Sequence, residues 1–133
     1  MPRKVRFPFV QEIPRCEVTI YGGVLMKEED KLEEICSDVV DEDEITAWVE
    51  VKLWSWGLSE RRARKVAQKL LVENEEVVLA GYCSADDSRK PPYLMDTPPE
   101  GSVIGKSRLG DPIYKKDDTI YEPYYVAIDY VDA

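Results

Sequence analysis

A chain of 133 residues is long enough for one hydrophobic core and short for two, so a single domain is expected. Hydrophobic residues at 44% and charged residues at 34% exclude wholesale disorder even at a formal net charge of −9, and no apolar run reaches the roughly 18 to 20 residues that span a bilayer. Histidine is absent, which removes imidazole bases, Ser-His and Cys-His nucleophile pairs and every His-containing metal site.

The opening MPRKVRFPFV is basic but lacks a hydrophobic stretch of signal length, so a soluble, cytoplasmic protein without a membrane partner is expected. Glu, Lys, Arg and Val are abundant beside one Asn and two Gln, a charged, amide-poor usage that matches hyperthermophile proteins and predicts an archaeal or viral source from a hot environment. Cys16, Cys36 and Cys83 form no CxxC pair, so neither zinc nor an iron–sulfur cluster is expected. They read as buried small apolar residues, with a disulfide open to a hyperthermophile.

In chain order, residues 1–15 carry Arg3, Lys4, Arg6 and Arg15 against one acid and form an extended basic arm. Residues 17–25 alternate as a strand with a break at Gly22-Gly23. Residues 27–37 place Leu32, Ile35 and Cys36 at helical spacing, predicting a short acidic helix. Asp38-Val39-Val40 begins a strand, residues 41–44 make a polar turn, and residues 45–54 form a second strand beside the first. On that second strand Ala47, Val49, Val51 and Leu53 share one face, and Trp48, Glu50, Lys52 and Trp54 the other.

Ser59 is a suitable N-cap for a helix over 60–73, whose core stripe is Ala63, Val66, Ala67, Leu70 and Leu71. Its other face holds Arg61, Arg62, Arg64, Lys65 and Lys69 within nine residues that contain no acid. Residues 76–83 read as a strand buried on both faces, and a strand, helix and strand in this order predict a parallel pair with a right-handed crossover. Residues 84–101 are a proline-rich loop. Residues 102–133 are β-rich, with strands over 102–109, 113–116 and 119–131; Tyr124, Val126, Ile128 and Tyr130 share a face of the last. The expected fold is α/β: one domain, a mixed sheet, two helices and a β-rich C-terminal part.

Glu50-x-Lys52 alone carries little, since Glu29-Asp30-Lys31 repeats the pattern and a strand with one wet face yields it for solubility. Order adds meaning: Asp38, then Glu50 and Lys52, then Gln68 on the following helix. Over residues 28–83 this resembles the core of the PD-(D/E)xK nuclease superfamily, especially its RecB-like branch and more loosely the archaeal Holliday-junction resolvases. The resemblance implies a restriction-endonuclease-like core in which Asp38 and Glu50 bind Mg²⁺ or Mn²⁺. It further implies that Lys52 orients or activates the attacking water and that Gln68 matches the helix glutamine. Two carboxylates suit a hard divalent ion, which lowers the pKa of bound water, while an ammonium stabilises developing negative charge. Arg61, Arg64 and Lys65 would then face a DNA backbone.

The chain departs from the pattern at Ser37, where a proline usually precedes the acid, and after Gln68, where a tyrosine often follows. A decayed nuclease fold that binds without cutting is therefore the alternative. So is an acidic protein that imitates nucleic acid and engages a protein partner through residues 28–44 and the base-free tail 117–133. Salt bridging between the acidic segment and the basic helix is the plain reading of both charge runs. Gly101 with Gly105-Lys106-Ser107 falls one residue short of a phosphate loop and sits in a hairpin, so no nucleotide is expected. A helix-turn-helix at Gly57-Leu58-Ser59 conflicts with the flanking strands. The C-terminal strand offers an edge through which two copies would pair as a homodimer.

Overall fold

The computed structural model describes residues 13–22, 33–84 and 94–131. Most of the basic arm, residues 23–32 and residues 85–93 of the proline-rich loop lie outside the described residues.

Strand β1 (Arg15–Gly22) buries Cys16, Val18 and Ile20 on one face and exposes Arg15 and Glu17 on the other, where Thr19 is also buried. It pairs antiparallel with β2 (Glu33–Asp41), Val18 opposite Asp38 and Ile20 opposite Cys36. Residues 33–37, expected to end a helix, are therefore strand. Alternation explains the correction: Cys36 turns toward the core, whereas Ser37 turns away and hydrogen bonds to Glu17 and Thr19. Asp38 consequently sits in mid-strand rather than at a strand start.

After a 3-10 turn (Glu42–Glu44), residues expected to form the second strand make helix α1 (Ile45–Ser55) instead. Apolar residues surround this segment, so both a period of two and a period near four fit it. Ile45, Val49 and Leu53, four apart, are fully buried and carry the helical period. A turn with Gly57 at φ 97° leads to helix α2 (Glu60–Leu71), capped by the Ser59 hydroxyl, which accepts from the Arg62 amide at 3.2 Å. Ala63, Val66, Ala67 and Leu70 are buried as expected, and Leu71 is half-buried.

Strand β3 (Val77–Ser84) does not make the parallel crossover pair. It runs antiparallel to β6 (Thr119–Val131), because the segment before α2 is itself a helix and leaves no parallel neighbour. Its centre is buried, as a strand covered on both faces should be. Strands β4 (Ser102–Lys106) and β5 (Pro112–Lys116) complete a meander into β6, turning at Gly110 with φ 96° and Asp117 with φ 55°. The six strands form one sheet in the order β2-β1-β6-β5-β4, with β3 on the other side of β6. Every ladder among the described residues is antiparallel, so the expectation of a mixed sheet is corrected while the α/β class stands; of the two helices found, α2 is the expected one and α1 replaces an expected strand.

Both helices pack on one face of this sheet, over Val18, Ile20, Val78, Ala80 and Val126. The cysteines are free; Cys16 and Cys83 are buried and Cys36 is half-buried. Among the described residues no helix is long and apolar enough to cross a membrane.

Candidate functional site

Sequence order brings Asp38, Glu50, Lys52 and Gln68 to the helical side of the sheet, but not to one point. Because α1 is a helix, Glu50 and Lys52 project about 160° apart around its axis instead of sharing a strand face. Trp48 lies on the Lys52 flank. Its indole N–H donates to Asp38 Oδ2 at 2.8 Å, and the Lys52 ammonium sits 5.7 Å from its ring centroid. Glu50 lies on the opposite flank, toward α2, where its carboxylate is 4.0 Å from Arg64 Nε. Arg64 also donates to Glu60 at 3.1 Å.

These contacts define what each carboxylate does. Asp38 anchors Trp48 over the β2 edge, and Glu50 ties α1 to α2 through Arg64. Among the described residues no group of three or more Cys, Asp or Glu converges to hold a metal ion. For Asp38 and Glu50 to share one ion, each would have to leave its present partner and cross a flank of α1.

Gln68 is exposed on the outer side of α2, in one stripe with Arg61, Arg64 and Lys65. Arg62 departs from that stripe: its guanidinium donates to the Leu79 and Ala80 carbonyls at 2.6 and 3.1 Å, sealing the bulged edge of β3. An open cleft of about 410 Å³ lies beside it, bordered by Lys69, Val77, Leu79, Asp111 and Tyr125. The Tyr125 hydroxyl donates to Asp111 at 2.7 Å, and burial drives its pKa well above that of an ordinary tyrosine.

The acids of β2 and the turn after it are not neutralised by α2. Among the described residues Asp38, Asp41, Glu42, Asp43 and Glu44 form no ion pair, so the plain salt-bridging reading does not account for them. They gather at one end of the sheet with Glu17 of β1 and Asp129 of β6. Tyr130 donates to Glu42 there, and that hydrogen bond, ahead of burial, pushes the phenol up to about 12. Beneath them burial raises the Cys16 thiol, helped by the negative charges of Glu42 and Asp129.

No family model, curated protein or solved structure matches the chain.

The feature that sequence reasoning missed is on the sheet face opposite the helices, which is closed over Thr19 and Tyr125 but open at the end that holds Glu17 and Asp129. Register places Val39, Glu17 and Asp129 side by side across β2, β1 and β6, with Asp41, Arg15 and Val131 as the next row. Two carboxylates thus stand directly across a strand pair. Only the β1–β6 register reveals this, and no local pattern in the sequence encodes it.

Proposed function

We propose that the protein is a non-catalytic interaction protein whose sheet face opposite the helices, at its exposed acidic end, docks on a basic surface of a partner protein. The observation that carries this is the neighbouring pair Glu17 and Asp129. Like charges directly opposite in an antiparallel pair cost stability, and neither forms an ion pair among the described residues, where the one cation close by on this face is Arg15, in the next row. A partner's Lys or Arg set between them would convert that repulsion into attraction. The Ser37 hydroxyl, donating to Glu17 at 3.1 Å, holds one carboxylate in place before any partner arrives. Val39 and Val131, 51% and 40% exposed, give the same face apolar ground for a partner to cover.

Net charge adds range to the contact. A chain at −9 with acids massed at one end of the sheet attracts basic surfaces from a distance and loses that attraction in salt.

A metal-dependent deoxyribonuclease with a restriction-endonuclease-like core is the second reading. It is favoured by the exposed stripe of Arg61, Lys65 and Gln68, which suits a phosphate backbone. It requires Asp38 and Glu50 to exchange Trp48 and Arg64 for a shared Mg²⁺ or Mn²⁺.

Fluorescence anisotropy with a labelled lysine-rich peptide and a labelled DNA duplex tests both. The peptide is expected to bind with steep salt dependence, and Glu17→Gln with Asp129→Asn to weaken it about tenfold, as loss of two charged contacts implies. The same double substitution should raise folding stability by up to about 0.5 kcal/mol, because it removes the like-charge pair. Peptide binding that is absent, or unaffected by the substitutions, counts against the proposal. Duplex cleavage in Mg²⁺ or Mn²⁺ that disappears in Glu50→Ala establishes the second reading in its place.

A further inference from the structure

The fold fixes where the basic arm joins the sheet, and that place is the acidic end. The Pro14 carbonyl accepts from the Glu42 amide at 2.7 Å, and β1 begins at the next residue. Arg15 stands in a row with Asp41 and Val131, and the next row along β1 is Val39, Glu17 and Asp129. Rows on one sheet face are two residues, or about 7 Å, apart. The turn that grips Pro14 is itself acidic, with Glu42, Asp43 and Glu44.

The sequence before this junction is the chemical complement of the surface around it. Arg3, Lys4 and Arg6 put three positive charges within four residues, and Glu12 is the one acid before β1. Val5 and Phe7 lie among and beside them. Across from this set, Glu17 and Asp129 form no ion pair among the described residues, and Val39 and Val131 are exposed.

We propose that the arm folds back over the acidic end of its own sheet, setting Arg3, Lys4 and Arg6 against Glu17, Asp129 and Asp41, and so competes with a basic partner for that surface. The competition rests on the partner-docking function proposed above; the arm contact itself does not. Arg6 and Arg15 are nine residues apart, enough chain to span about 30 Å when extended and so to reverse and reach both rows. Val5 and Phe7 then supply apolar cover for Val39 and Val131. A short tether sets an effective concentration on the order of millimolar, so charge contacts too weak to hold a free peptide suffice within one chain. The same tether selects the chain's own arm over that of a second copy. Exposed ion pairs are individually weak, so the arm screens the site without closing it, and a partner presenting more cations displaces it.

Amide NMR of the full chain tests the inference against a variant carrying Arg3→Ser, Lys4→Ser and Arg6→Ser, all ahead of the first strand. The amides of Glu17, Val39, Asp129 and Val131 are expected to differ between the two proteins, while those of Val66 and Leu70 in the core of α2 coincide. Wild-type shifts should move to the variant's positions as salt rises to about 0.5 M, and should not change on dilution by about tenfold. A labelled lysine-rich peptide should bind the variant about tenfold more tightly than the wild type. Coincident amides at the acidic end overturn the inference. So do differences that vanish on dilution, which would put the arm on a second copy. Peptide bound equally by both proteins also overturns it and leaves the proposed function standing. Arm-dependent shifts in a chain that binds the peptide in neither form do the reverse, upholding the arm contact and removing the partner surface.

Discussion

Helices α1 and α2 lie on the same sheet face and bury the same kind of residue, yet their outer surfaces are opposites. α2 has a side-chain cap at Ser59, a sharply divided stripe of Ala63, Val66, Ala67 and Leu70, and a charged outer side. α1 has no side-chain cap, and Ala47, Val51 and Trp54 keep its outer side apolar. Packing toward the sheet fixes where a helix lies but leaves its far side unconstrained. α2 gives that side to charge, while α1 leaves Ala47, Val51 and Trp54 exposed on it.

The strongest way to break this comparison is to ask whether the two helices are equally part of the core. Leu53 of α1 and Leu70 of α2 are both buried to within 1% of completely. Leu53→Ala and Leu70→Ala should each destabilise the fold by about 2–5 kcal/mol in urea-melt experiments, through lost burial and the cavity left behind. A Leu53→Ala cost below about 1 kcal/mol would mean that α1 is a loosely docked appendage and would break the comparison.

The same contrast explains what could be read from the sequence. α2 was legible to within two residues, because its cap, its stripe and its charges all agree. α1 was misread as a strand, because apolar residues on every side satisfy a period of two as readily as a helix. That one misreading carried the candidate site with it: on a strand Glu50 and Lys52 share a face, and on a helix they diverge. The parallel crossover failed for the same reason, since it needed a strand before α2. Strands β5 and β6 were placed closely from their turns and alternation, whereas the β1–β6 pairing that sets Glu17 beside Asp129 joins distant parts of the chain and has no local signal.

A smaller effect separates the two helix starts. Ser59→Ala removes the acceptor for the Arg62 amide and the hydroxyl that donates to Asp96, while the backbone amide of residue 59 keeps its bond to that carboxylate, so a loss of about 1 kcal/mol is expected. Glu44→Ala, at the start of α1, removes no side-chain cap and should change stability by less than about 0.5 kcal/mol. Equal costs would show that the first turn of α1 is held as firmly by its acids as α2 is by its serine.

The smallest effect concerns what does hold the start of α1. Glu42, in the turn leading into it, accepts from the Tyr130 hydroxyl, and its amide donates to the Pro14 carbonyl at 2.7 Å. The Tyr130 phenol is raised from 10 to about 12 in the fold, chiefly by that hydrogen bond. A group whose folded pKa exceeds its unfolded value stabilises the fold fully below the unfolded pKa and ceases to as pH rises through the folded one. The Tyr130 contribution should therefore be intact below pH about 10 and vanish by about 12. It is expected to be modest because Tyr130 is half exposed and solvent screens the pair. Stability measured across this window should fall less steeply in Tyr130→Phe than in the wild type. The remaining fall reports Tyr82, which burial raises to about 12, and Tyr125, raised further by deeper burial. Identical slopes in the two proteins would mean that the Pro14 backbone bond alone seats the turn, and that α1 is held at its start by the chain rather than by its acids.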